Sequence, residues 1–557
     1  MSLPASEPGS KCPTCGTSFR PRLDLESDAF QKRFLSDYDP TARGEIEAMV
    51  SLVDEEYQDC ATEIEHLQLR IRLLSSRQHQ LKRCGLKLRS LLSPSPIRKL
   101  PNEILMYVFN YVSQDNLFQQ ECGWSSGLWP GDENGLTTMP ALLLSSICTR
   151  WRHLSLSYSA LWSRMTLIVD LGQPGSQSTG LNTTLRLYID RSGTSLLRLR
   201  IDIHGYIDSE VTHYGLSLLG QYSRRWQHLT FISENYFAHE IFSLPLDFPM
   251  LEELSFDSTT PESLDMFRQA PKLWSLVVEV EFASTFSQSL VFPWWQLTSL
   301  DIGYDEELEK VVDGCPNLIS LLIHLIYDVD IAHQESRVLR NLKSLSVVAD
   351  THARVDIGLL DIVLSSFICP ALTLLMVERQ LASTVEATWP LHTLEYFLSE
   401  SSCALTSLSI KGLQFSHNDF VTVLKQLPSL ASLVIEDDRD ESENTTPCLI
   451  QSLHSSKSST LRSSFDPPLL PKLQHLSLTC AGKTFDDALF VDTIKSRCLP
   501  VVDAERQGID PLRSLVLKCL DRTLDKGVAE IYEPLRKLEE AGFRLVFIFQ
   551  DLQSVEC

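Results

Sequence analysis

The chain lacks any long apolar run. Although 43% of its 557 residues are apolar, no stretch approaches the roughly 20 consecutive apolar residues needed to cross a bilayer. The first residues, Met-Ser-Leu-Pro-Ala-Ser-Glu, also lack the basic and then apolar pattern of a secretory leader. The 14 cysteines are irregularly spaced, so we expect reduced thiols, no membrane contact and a cytoplasmic or nuclear location.

Positive charge is scarce as well. Lys and Arg number 49 against 72 Asp and Glu, which gives a net charge of −23. A surface that binds nucleic acid or anionic lipid needs clustered Lys and Arg to neutralise phosphates. The charge balance therefore predicts no general nucleic-acid binding.

Motifs that carry catalysis are missing too. The patterns G-x-x-x-x-G-K-[ST], G-x-G-x-x-G and H-E-x-x-H do not occur, and His228, His324, His392 and His475 lie within or beside a leucine-containing repeat. We expect no enzymatic activity and no cofactor. Cys12 and Cys15 are the candidate pair for a metal, but a tetrahedral zinc site needs four ligands. Either two chains share a site or the pair is an exposed dithiol.

Two short amphipathic helices are predicted between residues 97 and 165. Pro101 suits a first helical turn, and the apolar residues after it follow the three-and-four spacing of one helical face. These residues are Leu100, Ile104, Leu105, Val108, Phe109 and Val112. A second piece repeats the spacing with Leu143, Leu144, Ile147, Trp151 and Leu154. Residues 113–140 form an insertion between the two pieces.

The order of these residues carries a resemblance. Leu100-Pro101-x-Glu103-Ile104-Leu105-x-x-Val108-Phe109, then Ile147-Cys148-x-x-Trp151-Arg152-x-Leu154 and Leu161-Trp162, resembles an F-box. That module docks on the adaptor subunit of SCF-type cullin-RING ubiquitin ligases. The resemblance implies that docking is carried by Leu100, Pro101, Ile104, Leu105, Val108, Ile147 and Trp151. The alternative is an ordinary helical hairpin that caps the following domain.

Residues 45–92 carry a seven-residue apolar repeat that predicts one long amphipathic helix. Its seam is Ile46, Val50, Val53, Tyr57, Cys60, Ile64, Leu67, Ile71, Leu74, Gln78, Leu81, Gly85, Leu88 and Leu92. Because the first half is acidic and the second basic, an antiparallel coiled-coil homodimer is one hypothesis. The other is that the helix folds back on the F-box or on the repeat domain. Residues 1–44 follow no period and are expected to be mostly disordered.

After Trp162 the pattern changes to short strand-sized runs. Met165–Val169, Leu185–Ile189 and Leu197–Ile201 are predicted strands, and a Leu-x-x-Leu-x-apolar phrase then recurs from Trp226 to Leu515. Helix-length connectors such as 261–269 and 418–426 separate the phrases. Such a unit buries its leucines only by stacking on its neighbours. Residues 526–541 and 545–549 read as a last helix and strand.

The repeat resembles a degenerate leucine-rich repeat without the usual asparagine. The predicted fold class is therefore α/β: a long N-terminal helix, a small all-α F-box at 97–165, and an irregular solenoid at 166–550 with parallel strands on its concave face. A flexible insertion is predicted near 436–468. On this register the residues that face a target protein include Glu253, Trp274, Ser299, Lys343, Ser407 and His475.

The functional expectation joins these parts. The chain resembles fungal-type F-box and leucine-rich-repeat proteins, which implies a substrate receptor that holds an unidentified target protein near a ubiquitin-conjugating machinery. The alternative is a non-catalytic scaffold that dimerises through its coiled coil and has no link to ubiquitin.

Overall fold

The computed structural model describes nineteen segments of the chain, and its residues fall into two compact units, 1–105 and 106–557. The described segments are 23–34, 40–92, 96–119, 138–170, 179–204, 214–233, 245–257, 261–278, 292–304, 308–325, 336–349, 357–379, 392–413, 417–436, 446–454, 468–481, 485–520, 526–540 and 542–550. The fold is mixed α/β, as predicted.

A single long helix dominates the first unit. Helix α2, Arg43–Leu92, runs for 50 residues and confirms the helix predicted over 45–92. A short helix α1, Asp28–Phe34, precedes it, inside the range 1–44 that is expected to be mostly disordered. Residues 1–22 and 35–39 of that range lie outside the described residues. The backbone N–H of Leu23 donates to Glu56 Oε2 at 2.8 Å, and Arg33 forms an ion pair with Glu45 at 3.3 Å. These contacts tie the segment before α2 to its first half.

Three helices and a 3-10 turn precede the second strand of the main sheet. They are α3 at Asn102–Val112, α4 at Pro140–Ile147, α5 at Thr149–Ser157 and the turn Ser159–Trp162. Trp162 is fully buried, and its indole N–H donates to the carbonyl oxygen of Ser155 at 2.8 Å. The guanidinium of Arg191 lies 4.4 Å from the centre of the same ring. The Leu161-Trp162 pair is therefore part of the core.

A parallel sheet of 15 strands forms the body of the second unit, and its strands follow one another in chain order. They are β1 Leu117–Gln119, β2 Arg164–Asp170, β3 Leu197–His204, β4 Trp226–Ser233, β5 Glu253–Asp257, β6 Ser275–Val278, β7 Ser299–Gly303, β8 Ser320–Leu325, β10 Ser344–Ala349, β12 Leu374–Arg379, β13 Ser407–Lys411, β14 Ser432–Glu436, β15 His475–Ala481, β16 Ser514–Leu520 and β17 Arg544–Gln550. Two short strands, β9 Arg337–Val338 and β11 Phe367–Ile368, pair separately. The predicted parallel strands are confirmed.

Helices connect many successive strands. They are α6 Thr179–Ser192, α7 Tyr214–Gly220, α8 Leu308–Asp313, α9 Ile357–Ser365, α10 His392–Ser401, α11 His417–Lys425, α12 Thr446–Leu453, α13 Asp487–Arg497, α14 Val501–Gln507 and α15 Lys526–Glu540. Residues 261–269 were expected to form a helix-length connector, and Pro261–Phe267 forms a 3-10 helix.

The core lies between one face of the sheet and these connectors. Along many of the strands buried apolar residues alternate with half-buried ones, and in β7 the buried residues are Leu300 and Ile302. Aromatic side chains of the connectors pack on that face, and Phe267 meets Phe256 of β5 with ring centres 6.4 Å apart. Alternation of this kind sends every second side chain into one apolar layer. The leucines of the repeat phrase supply that layer, as predicted.

The prediction of a strand at Leu185–Ile189 is wrong, because these residues belong to helix α6. Leu185, Tyr188 and Ile189 are buried, which is the three-and-four spacing of a helix. The apolar alternation of positions 185, 187 and 189 fits a strand equally well over so short a run, so the pattern was ambiguous. The sheet also begins earlier than expected, since β1 lies inside the predicted insertion at 113–140.

Candidate docking surfaces

Helix α3 exposes a stripe of large apolar and aromatic side chains. Ile104, Tyr107, Val108, Tyr111 and Val112 are 45%, 74%, 38%, 78% and 52% exposed. Their spacing places them on one side of a helix, where a surface helix normally carries polar residues. Contiguous exposed apolar side chains of this kind mark an interaction surface. We call these five residues the α3 stripe.

The apolar face predicted for this helix divides into two halves. Leu105 and Phe109 are fully buried, whereas Ile104, Val108 and Val112 are exposed. The division follows from geometry, because side chains one residue apart on a helix point about 100° from each other. The sequence interpretation treated the six apolar residues as one face and missed Tyr107 and Tyr111. Their spacing of four residues, in step with Ile104 and Val108, was the available signal.

The second predicted piece folds as two helices that meet at Cys148. The backbone of Cys148 is extended, and its Sγ accepts the backbone N–H of Trp151 at 3.5 Å, which caps α5. Trp151 packs against Phe109 of α3 with ring centres 4.8 Å apart. Ile147, just before the break, is 53% exposed. The break therefore presents Ile147 outward while Trp151 anchors α5 on α3.

The seven residues predicted to dock on an adaptor have different environments. Pro101, Ile104, Val108 and Ile147 are exposed, and Leu100 and Trp151 are half-buried. Leu105 is fully buried, so its side chain offers no surface to a partner. The exposed members remain candidates for docking, and Leu105 contributes to the core instead.

Asn116 joins these helices to the sheet, and sequence reasoning did not single it out. Its side-chain amide donates to the carbonyl oxygens of Leu161 at 3.1 Å and Arg164 at 2.8 Å. Its amide oxygen accepts the backbone N–H of Ala141 and the hydroxyl of Tyr188, both at 3.1 Å. The side chain is fully buried. One amide therefore links the starts of α4 and β2 to α6 with all four of its hydrogen bonds satisfied.

We expect Asn116→Asp to lower the free energy of unfolding by about 2–3 kcal/mol, because a carboxylate cannot donate to the two carbonyl oxygens. Urea denaturation of the full chain measures the change. Asn317→Asp is the matched control: Asn317 is exposed and donates a single hydrogen bond to the Trp295 carbonyl at 2.8 Å. Equal effects of the two substitutions would contradict the linking role of Asn116.

The face of the sheet opposite the core carries a polar row, which Leu374 of β12 interrupts. In register across neighbouring strands lie Glu253, Ser275, Ser299, Ser320 and Ser344. Further along, Ser407, Ser432, His475 and Ser514 continue this row. Four of the predicted target-facing residues, Glu253, Ser299, Ser407 and His475, belong to it. Each is the first residue of its strand and lies on the face away from the buried leucines.

Trp274 and Lys343 lie one residue before this row and are both exposed. Here the backbone continues the ladder beyond the strands. The N–H groups of Trp274 and Ser275 both donate to the carbonyl oxygen of Glu252, at 3.0 and 3.3 Å, and Thr298 and Ser299 repeat the arrangement on Trp274. The shared acceptors fix these backbones. The side chain of Trp274 therefore projects from backbone that these hydrogen bonds hold in place.

Ionisable side chains pair across adjacent strands on the same face. His228 Nδ1 lies 2.7 Å from Glu253 Oε2, and Lys411 Nζ lies 2.8 Å from Glu378 Oε2. His324 Nε2 lies 2.9 Å from Asp301 Oδ1. The row and these pairs form a polar surface of mixed charge, a composition suited to contact with another protein rather than with a phosphate backbone.

Three cysteine thiols have a strongly raised pKa. Burial raises the pKa of Cys315 and Cys498 to about 12, and burial with neighbouring Cys403 raises that of Cys369 to about 12. A thiolate is the nucleophilic form, so these groups are poor candidates for covalent chemistry.

The described segments contain no group of three or more His, Cys, Asp or Glu placed to hold a metal ion. The candidate pair Cys12 and Cys15 lies outside them. So does Gly123-Trp124-Ser125-Ser126-Gly127, a G-x-S-x-G sequence whose activity requires a strand–turn–helix context. None of the helices in these segments has the length and apolar content for a membrane span.

In a comparison with known proteins, no family model matches the chain, and no curated protein matches it.

Proposed function

We propose that this chain is a substrate-recognition subunit of an SCF-type cullin-RING ubiquitin ligase. In this proposal residues 97–165 act as an F-box that docks on the adaptor subunit, and the repeats form a leucine-rich-repeat solenoid that binds the target protein. The observation that carries the proposal is the α3 stripe, because the part of the chain that resembles an F-box leaves large apolar side chains exposed along one side of a helix. The proposal itself rests on that resemblance.

The docking contact would be apolar at its centre. Val108 and Ile147 are exposed, and Tyr107 and Tyr111 flank Val108 on the same side of α3. Burying such side chains stabilises a complex by about 1.5–3 kcal/mol for each fully buried aliphatic residue. Tyrosine is enriched among the residues that dominate protein interfaces, because it combines a large apolar ring with a polar tip. We therefore add Tyr107 and Tyr111 to the docking set.

The polar row of the sheet would receive the target. Its serines leave room for another protein's side chains, and the neighbouring Trp274 and Lys343 supply an aromatic anchor and a positive charge. The chain would contribute no chemistry of its own. Holding a target lysine near a loaded conjugating enzyme raises the effective concentration of the reacting groups, which is how proximity accelerates a bimolecular step.

A substitution on the α3 stripe tests the docking contact. Val108→Asp is expected to weaken adaptor binding by about 100-fold, since the new carboxylate must lose its hydration in an apolar contact. Val502→Asp in α14 is the matched control, because Val502 is a helical valine that is 62% exposed. Capture of the purified adaptor on the immobilised full chain measures both variants.

Two results would count against the proposal. The first is wild-type chain that captures no adaptor, which would leave the scaffold interpretation. The second is Val108→Asp chain that captures as much adaptor as the wild type, which would move the contact away from the α3 stripe.

A further inference from the structure

Helix α2 carries an exposed apolar seam. Tyr57, Ile64, Leu67, Ile71 and Leu74 are 75%, 56%, 43%, 63% and 62% exposed, although they follow the spacing of a coiled-coil core. Most helical stability in proteins comes from the packing of such a face, not from helix propensity alone. Within the described segments of the chain, the seam therefore lacks the packing that its pattern is suited to.

The first turns of the seam already have a neighbour. Phe30 and Arg33 of α1 line a groove together with Ile46, Val50 and Val53 of α2. Ile46, Val50 and Val53 are still 38%, 54% and 39% exposed, so α1 covers this end of the seam only in part.

The charges of α2 are divided by sign along its length. Residues 54–65 contain Asp54, Glu55, Glu56, Asp59, Glu63 and Glu65 and no Lys or Arg. Residues 70–89 contain Arg70, Arg72, Arg77, Lys82, Arg83, Lys87 and Arg89 and no Asp or Glu. A second helix with the same sequence complements this arrangement only when it runs in the opposite direction.

We propose that the partner of this seam is a second copy of the chain, bound as an antiparallel coiled coil whose two-fold axis passes between Glu65 and His66. In this register Ile64 of one copy packs on Leu67 of the other. The next layers pair Cys60 with Ile71 and Tyr57 with Leu74, and symmetry repeats each layer on the other side of the axis. The uncovered part of the seam is thereby buried.

The residues that flank the seam select this register. Glu56, Glu63, Arg70 and Arg77 follow one another at intervals of seven on the same side of the helix. In an antiparallel pair these sides face each other, so Glu63 meets Arg70 and Glu56 meets Arg77, twice each. In a parallel pair opposite sides meet, which sets Arg77 beside Lys82 and leaves both glutamates beside neutral residues. Charge therefore favours the antiparallel arrangement.

The two weak positions of the seam support the same register independently. Gln78 and Gly85 are the seam residues that lack an apolar side chain within 46–92. The register places them opposite Val53 and Ile46, and those two residues line the groove with α1. Gln78 and Gly85, which contribute least to the dimer, thus lie opposite the two seam residues that already have α1 beside them.

Charge reversal tests the arrangement on the full chain. One variant carries Glu56→Arg and Glu63→Arg, and the other carries Arg70→Glu and Arg77→Glu. Light scattering at about 10 µM is expected to give twice the 63.0 kDa chain mass for the wild type and the single chain mass for each variant. An equimolar mixture of the variants is expected to recover the dimer, because every facing pair is then again of opposite sign.

Circular dichroism of each variant checks that α2 still folds, because Glu56→Arg also removes the hydrogen bond that Glu56 accepts from the Leu23 N–H. A monomeric wild type would overturn the proposal, as would variants that dimerise like the wild type or a mixture that stays monomeric. Orientation has its own measurement. With Ile71→Cys, a short thiol crosslinker is expected to join Cys60 to the introduced thiol of the other copy, whereas a Cys60–Cys60 product would show a parallel pair. Adaptor capture enters none of these readouts, so the inference is independent of the proposed function.

Discussion

Replacing Arg497 with methionine is expected to lower the free energy of unfolding by about 4 kcal/mol, the largest change we expect from a single substitution. Arg497 ends α13 and is only 2% exposed. Its guanidinium donates to the carbonyl oxygens of Leu453 at 2.7 Å and Leu470 at 2.8 Å, and also to that of Leu469. Methionine fills a similar volume but removes all three of these hydrogen bonds, although the carbonyl oxygen of Leu470 still accepts the backbone N–H of Leu473 at 3.2 Å.

The control for this experiment is Arg506→Met in the neighbouring helix α14. Arg506 is 76% exposed at its side chain and pairs with Asp503 at 3.3 Å. Exposed pairs of this kind contribute about 0–1 kcal/mol, so we expect little change. Urea denaturation followed by tryptophan fluorescence measures both. A loss below about 1 kcal/mol for Arg497→Met would show that water replaces the guanidinium, contrary to its role as an internal donor.

Gly412→Ala is expected to lower the free energy of unfolding by about 3 kcal/mol. A left-handed backbone costs an alanine roughly 1–2 kcal/mol, and a steric clash of the added methyl group accounts for the rest. Gly412 has φ = +65° and follows the last residue of β13. A methyl group there would overlap the carbonyl oxygen of Arg379, which is backbone and cannot rotate away. The N–H of Gly412 also donates to the carbonyl oxygen of Glu436 at 3.0 Å.

Gly508→Ala separates the two contributions to that loss. Gly508 has φ = +69°, close to the value at Gly412, but an added methyl group there meets no atom within 4 Å. We expect it to cost only the backbone term of about 1 kcal/mol. The difference between the two variants measures the clash at Gly412, and equal losses would contradict it.

The regular part of the fold could be predicted from the sequence because each strand repeats one phrase. Leu300 and Ile302 at the end of one repeat phrase predicted β7, and Leu433 and Ile435 predicted β14, since burial of alternate residues imposes a period of two. The long helix α2 followed from its seven-residue period for the same reason. Side chains that are buried at regular intervals produce a regular pattern of apolar residues in the sequence.

Singular contacts leave no such pattern. Asn116 was read as part of an insertion, because nothing around it is periodic and its four partners are distant in sequence. Arg497 resembles any basic residue near a helix C-terminus, and only the fold shows that it is buried. The need for a glycine at position 412 depends on the Arg379 backbone, which comes from another strand. Contacts of this kind require the tertiary structure.

The candidate docking surface could be predicted from the sequence only in part. The F-box-like spacing indicated α3 and the residues Ile104 and Val108, which the structure leaves exposed. It could not separate them from Leu105, because adjacent apolar residues on a helix look equivalent until a packing partner is known. Tyr107 and Tyr111 became candidates only through their exposure.

The central claim is that this chain docks on the adaptor subunit of an SCF-type ubiquitin ligase. The most direct measurement is a calorimetric titration of the purified adaptor into the full-length chain. We expect one adaptor per chain with a dissociation constant below about 1 µM, corresponding to more than about 8 kcal/mol of binding free energy. Absence of binding at about 100 µM adaptor would contradict the proposed docking, provided that circular dichroism shows the chain to be folded.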